Sequence, residues 1–353
     1  MSLRLPALAW LLVPAGLSAL AVVACSDGDS PVVPAGDGGA EATSDAPADV
    51  VVPPDAAPDV VDAGPVDALP DAPVDASLTC VVADAVNGND TNPGTEAKPV
   101  KRLTYAIKLV QTPGCITLKP GLYDDKVNGE VFPLDIPPNV TITGDEKNKG
   151  MAQNAQVRIE GTLPGNTLPM QGMLQPGAGS VLAGVSIGFT GQTFRVPIYL
   201  TAPGVTLRND TIDHCTAGSA VYVGTGGKNY VITGNDIYKN SGVGLAMILG
   251  GEGSKVEGNF ISTNKYGIEV DVIPNADFGG GAQGSLGNNV ITCNATQDFW
   301  TVQTNGVLSV KNNQWDHQPP TIGAGTGDDV YKASNNGASV DTTGAKLAPN
   351  PCP

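Results

Sequence analysis

Asp210-Thr211-Ile212, Asn235-Asp236-Ile237, Asn259-Phe260-Ile261, Asn289-Val290-Ile291 and Asn313-Gln314-Trp315 repeat one short phrase along the second half of the chain. The apolar member recurs after 25, 24, 30 and 24 residues. That period is too long for one helix or hairpin. It suits one coil of a solenoid, in which each repeat buries its apolar face against its neighbours. Aligning the chain on Ile212 brings up a second apolar column at Val221, Leu245, Ile268 and Phe299, followed by alternation that reads as a strand with one face inward. Gly-rich turns come next, as in Gly224 to Gly227 and Gly250 to Gly253, so each period holds more than one strand. The spacing predicts an all-β fold of coils stacked by parallel strand pairing at about 4.8 Å.

Polar columns fit the same coil. Three residues after each anchor stand Cys215, Asn240, Asn264, Asn294 and Gln318, expected to lie above one another as a ladder. Stacked amides can bond along the ladder and to the turn backbone, so their expected role is structural rather than catalytic. The rung after Ile261 carries about six additional residues around Asp277 to Gly284. Its Gly279-Gly280-Gly281 run either forms a tight loop or offers backbone N–H groups to an anion, and no helix follows to favour the second. Helical spacing occurs at Lys101 to Gln111, where Leu103, Ile107 and Val110 predict a short amphipathic helix over the first coil.

The chain begins differently. Residues 1–25 read as an export signal, with Arg4 before a largely apolar Leu5 to Val23. Its ending, Val22-Val23-Ala24-Cys25, resembles the lipobox of bacterial lipoproteins. Pro6, Pro14 and Gly16 interrupt the stretch, which favours a cleaved signal over a membrane span. The resemblance implies a lipid on Cys25 and an extracytoplasmic, membrane-tethered protein, with the outer membrane or cell surface the favoured address. Residues 26–78 hold eleven Asp and Glu41 with no Lys, Arg or aromatic residue, so most of the net charge of -16 sits there. Such a segment builds no core and stays solvated, with an extended reach on the order of 160 Å. Nothing forms a basic stripe, so nucleic acid is not an expected partner. Residues 79–353 suffice for one β-helix domain with a C-terminal tail, expected to be a monomer.

The first part of this domain carries several motifs in order. They are Asn87-Gly88-Asn89-Asp90-Thr91-Asn92-Pro93-Gly94-Thr95, Leu118-Lys119-Pro120-Gly121-Leu122-Tyr123 and Val140-Thr141-Ile142-Thr143-Gly144. With the Gly-rich segment Asp277 to Asn289, they resemble the domain of unknown function 1565 family over about residues 81 to 320. The resemblance implies a right-handed parallel β-helix of the pectin lyase-like kind and implies no known activity.

Five cysteines follow Cys25. In an exported protein pairing is expected, and the odd count leaves one over. Cys215 and Cys293 fall three rungs apart, about 14 Å, too far for a disulfide. The expected pairs are Cys80 with Cys115 and Cys293 with Cys352, leaving Cys215 as a buried thiol. No CxxC or paired-His spacing suggests a transition-metal site.

Positions just after the inward anchors should face outward: Tyr199, Tyr222, Ala246, Glu269 and Trp300, an exposed column. Aromatic faces stack on sugar rings and a carboxylate accepts hydroxyl hydrogen bonds, so Tyr199, Tyr222, Glu269 and Trp300 are candidate glycan contacts. The alternative is that the rings shield the sheet. Glu269 and Asp271 lie two apart on one strand face, about 7 Å between positions, a spacing suited to the acid and base of inverting glycoside hydrolysis. They also read as a solvated acidic face, or with Asp277 as oxygen ligands for Ca²⁺, the one cofactor the sequence suggests. None of Arg102, Arg158, Arg195 and Arg208 falls in the outward column, where a polysaccharide lyase would need a base. His214 and His317 share a repeat position with Lys239, Thr263 and Cys293, which reads as a solvent-facing turn. The expected function is an envelope glycan-binding or structural display module, with a lyase or hydrolase worked by Glu269 and Asp271 as the alternative.

Overall fold

The computed structural model describes residues 79–165, 168–192, 194–216, 218–271, 276–301, 306–332 and 339–352. The expected signal segment, Cys25 and the acidic linker lie outside the described residues. In the coil built around Ile212, short strands at Thr206–Arg208, Thr211–Asp213 and Ser219–Val223 follow one another around the core. The next coil repeats them at Val231–Thr233, Asp236–Tyr238 and Val243–Met247. Equivalent strands of successive coils pair in parallel and make three sheets of seven, nine and nine strands, here called sheets 1, 2 and 3 in the order a coil visits them. The chain is a right-handed single-chain parallel β-helix, with the crossover hand that parallel strands favour.

Apolar anchors set the register. Ile212 pairs with Ile237, Ile237 with Ile261 and Ile261 with Ile291. These four and Trp315 are all fully buried. The second column runs Val221, Leu245, Ile268 and Phe299, again in register and again buried. Truncating one such anchor to Ala would cost about 2–5 kcal/mol, because stacked coils cannot collapse into the void.

Two amide ladders run through this core, where the sequence reading assigned the role to one. The +3 ladder passes from Cys215 N–H to Asn240 Oδ1, from Asn240 to Asn264 and from Asn264 to Asn294, each step at 2.9–3.2 Å. Gln318 does not join it. The side chain is exposed and donates to Ala345 O, and the ladder ends instead on Asp298 Oδ1, which accepts from Asn294 N and Nδ2. The second ladder is the leading member of the repeated phrase: Asp210, Asn235, Asn259, Asn289 and Asn313, all at most 1% exposed. Each Asn Oδ1 accepts from the preceding rung, and Asn235 and Asn259 donate sideways to Leu207 O and Ile232 O.

The variable column after the anchor also finds its reason. His214, Lys239, Thr263 and Cys293 all sit at φ between 54° and 59°, the left-handed turn that redirects the chain from sheet 2 to sheet 3. His317 is likewise exposed, and its Nδ1 lies 3.0 Å from the carboxylate of buried Asp329, as His214 Nδ1 lies 3.0 Å from Asp213.

The six-residue excess forms a loop around Asp277. Asp277 bridges Lys255 and Ser309 and so carries sheet 1 past the insertion. Its Oδ1 accepts from Gly279 N and Gly281 N, and its Oδ2 from Gln283 N and Ser285 N, at 2.9–3.1 Å. The anion held by the glycine-rich backbone is therefore the chain's own Asp277. Phe278, next in sequence, fills the core and meets Phe299 edge-on at 5.2 Å between centroids.

A short helix, Leu103–Leu109, packs buried Leu103 and Ala106 toward the first strands. The Glu130 carboxylate accepts from the N–H groups of Leu103 and Thr104 at its start. Cys80 is bonded to Cys115 and Cys293 to Cys352, with Cα separations of 4.4 and 5.2 Å, and Cys215 is free and buried.

Candidate functional site

Sheet 3 positions the outward column. Tyr199 pairs with Tyr222, Tyr222 with Ala246, Ala246 with Glu269 and Glu269 with Trp300. The column continues one rung beyond the sequence reading, from Trp300 to Tyr331. Tyr331 was missed because it lies beyond Asn313-Gln314-Trp315, the last rung the repeat displays.

Exposure departs from expectation. Ala246 is fully buried and its companions are half-buried rather than exposed. The rings cover one another and the strand beneath: Tyr199 and Tyr222 stand 5.8 Å apart between centroids, and Tyr266 stacks on Trp300 at 5.0 Å with 25° between planes. Trp300 then meets Tyr331 edge-on at 6.2 Å. Two aromatic groups thus flank a rung pair where Ala246 and Glu269 leave the sheet lower.

Glu269 stands between them. Burial, and then the nearby charge of Asp271, push its carboxyl up to about 7. Burial also raises Asp271, whose enclosed Oδ1 has no hydrogen-bond partner among the described residues. The phenol of Tyr222 is raised by burial and then by Tyr199, Glu269 and Asp271. Near neutral pH Glu269 can therefore hold its proton, which is what a general acid needs.

Asp277 does not join them. It belongs to sheet 1, and its four backbone donors leave the carboxylate no room for a shared Ca²⁺. Arg158 lies on sheet 2 and is held by Glu160, Ser186 and Asp213 at 2.7–2.9 Å. Arg195 enters sheet 3 but is buried, donating to the carbonyls of Pro164, Pro169 and Phe194. A cavity of about 390 Å³ lined by Leu122, Arg158 and Glu160 opens on sheet 2, and its ionic groups are paired with each other.

Curated protein sequences give no match to this chain. Among solved structures it is similar to the crystal structure of pectate lyase Pel9A, at 18% identity and a TM-score of 0.47, over 75% of this chain and 78% of that one. It is also similar to a rhamnogalacturonan lyase, at 16% identity and a TM-score of 0.33, over 76% of this chain and 62% of that one. At such identity neither carries an activity over. The profile described as protein of unknown function (DUF1565) matches residues 86–322, most of the β-helix whose repeat, ladders and glycine-rich loop are set out above, and the chain belongs to that family.

Proposed function

We propose that the chain is a polysaccharide-binding module of the bacterial envelope, held by a lipid on Cys25 and presented on the acidic stalk of residues 26–78. One observation carries the reading: Tyr199, Tyr222, Ala246, Glu269, Trp300 and Tyr331 stand in unbroken register on one sheet. Rungs about 4.8 Å apart repeat at close to the length of a sugar unit, so a chain laid along the helix axis meets a ring or carboxylate at every step but that of Ala246. Aromatic faces supply sequence-tolerant stacking, and Glu269 and Asp271 accept hydroxyl hydrogen bonds. A polysaccharide array probed with the lipid-free protein tests the reading. Retention on at least one polymer, lost when Trp300→Ala and Tyr222→Ala are combined, is the expected result, and absence of binding across polymers of every charge class overturns it.

A second reading is favoured by the raised carboxyl of Glu269. With Glu269 protonated as acid and Asp271 ionised as base, about 7 Å apart along the strand, the pair suits inverting hydrolysis of a glycosidic bond. Reducing-end and unsaturated-product assays on the polymers that bind separate the two. Turnover abolished by Glu269→Gln supports the enzyme; binding without turnover leaves the module.

A further inference from the structure

We propose that Asp298, Asp316 and Asp329 form a Ca²⁺ site that clips the last coils of the β-helix together. Phe299 pairs with Val330, so Asp298 and Asp329, each one residue earlier, occupy neighbouring rungs of sheet 3. They are only 3% and 2% exposed. Asp316 reaches the same place from the end of sheet 2. It is held there by Cys293 N–H on Oδ2 and Cys352 N–H on Oδ1, both at 2.7 Å, so the disulfide between those residues fixes its position.

One carboxylate oxygen from each of the three lies within 4.8 Å of the other two. Two oxygens bound to one Ca²⁺ at about 2.4 Å can be no more than about 4.8 Å apart, so the cluster fits around a single ion. Among the described residues no Lys or Arg pairs with any of them, and the ionisable partner is exposed His317, 3.0 Å from Asp329 Oδ2. Two buried carboxylates and a half-buried third, with only the His317 imidazole beside them, are costly to gather, and a cation removes that cost.

Both oxygens of Asp316 accept from Thr292 Oγ1, Cys352 N and Cys293 N, and the other two acids each keep an unused oxygen. Asp329 Oδ2 is saturated by Thr321 N, Thr321 Oγ1 and His317, while its buried Oδ1 has no partner among the described residues. Asp298 Oδ1 is taken by Asn294, and its Oδ2 has no hydrogen bond among the described residues. A cavity of about 250 Å³ lined by Asp298, Asp316 and His317 leaves space for water ligands. An all-oxygen donor set of this spread favours Ca²⁺ over the smaller Mg²⁺ and over softer metals. Two residues beyond Asp298 and Asp329 stand Trp300 and Tyr331, so the ion fixes the strands carrying the end of the aromatic column.

Calorimetric titration and thermal unfolding of the chelator-stripped lipid-free protein test the site with Ca²⁺ alone. One ion is expected to bind per chain, with a rise in Tm of about 5 °C or more at saturating Ca²⁺ and a smaller one with Mg²⁺. Asp298→Asn combined with Asp329→Asn should abolish the shift and, in chelator, unfold no earlier than the stripped native protein, because the repulsion is gone. Absence of heat and of any Tm change at millimolar Ca²⁺, an equal response to Mg²⁺, or a full shift in the double variant would overturn the proposal. Titration of the native protein decides the matter even where the double variant fails to fold.

Discussion

Asp210 and Glu269 are both carboxylates whose charged form burial disfavours, and the fold uses them in different ways. Asp210 occupies the first rung of an asparagine ladder. Its Oδ1 accepts from Val185 N, while its Oδ2 is buried without a partner in the place where Asn235 and Asn259 donate. Burial pushes its carboxyl well above the usual range, so a charge there is disfavoured where an amide would be neutral. A raised folded-state value means that this contribution is fully present below the unfolded pKa and is lost as pH rises toward the folded one. Asp210→Asn should therefore stabilise by about 1–3 kcal/mol at neutral pH and by progressively less toward pH 4, a trend denaturant unfolding across pH will reveal. Glu269 lies at the surface, and its value of about 7 puts its window between about 4.5 and 7. Glu269→Gln is expected to gain about 1–3 kcal/mol at pH 8 and nothing at pH 4, and NMR titration of the native side chain should give a midpoint near neutrality. A midpoint in the ordinary carboxylate range would remove the physical basis for acid catalysis there.

At the scale of the element, the ladder is the unit that resists change. Asn259 accepts from Asn235 N and Nδ2 and donates to Ile232 O, so Asn259→Ala leaves several enclosed groups unpaired. A loss of about 3 kcal/mol or more follows, whereas Gln318→Ala, outside the ladder, should change stability by less than about 0.5 kcal/mol. Chemical denaturation of both variants checks the contrast. Much of this architecture was legible because a coil repeats the same residue at the same place: Ile212 to Ile291 gave the register, and Cys215 its burial. What repetition could not supply was the end of the pattern, where Gln318 turns outward and Asp298 takes over. Nor could it supply exposure, because half-burial of Trp300 comes from Tyr266, which the outward column did not include. The Asp298, Asp316 and Asp329 cluster is similarly hidden, its members lying at unequal spacings with no motif among them. Asp277 misled in the opposite way, an isolated acid beside glycines that proves to be the loop's own anion.

At the scale of the molecule, a solenoid is stable through neighbouring coils, and its ends are the vulnerable places. The disulfides tie both: Cys80 to Cys115 at the first coil and Cys293 to Cys352, 59 residues apart, at the last. Replacing Cys293 and Cys352 by Ser removes a loop constraint of about 4 kcal/mol on the chain-entropy account, and limited proteolysis should then begin at the C-terminal coils while the Ile212 to Ile261 coils persist. The C-terminal coils carry Trp300 and Tyr331, so the loosened variant should also lose affinity for any polymer bound along sheet 3.

Sheet 3 is the face proposed above to hold a polysaccharide. Its most direct measurement is the calorimetric affinity of a retained polymer for the native protein, for Trp300→Ala and for Leu122→Ala, which lies 41% exposed on sheet 2. Binding weakened at least about tenfold by Trp300→Ala and unchanged by Leu122→Ala is the predicted result. Binding indifferent to Trp300 and lost with Leu122 would contradict it.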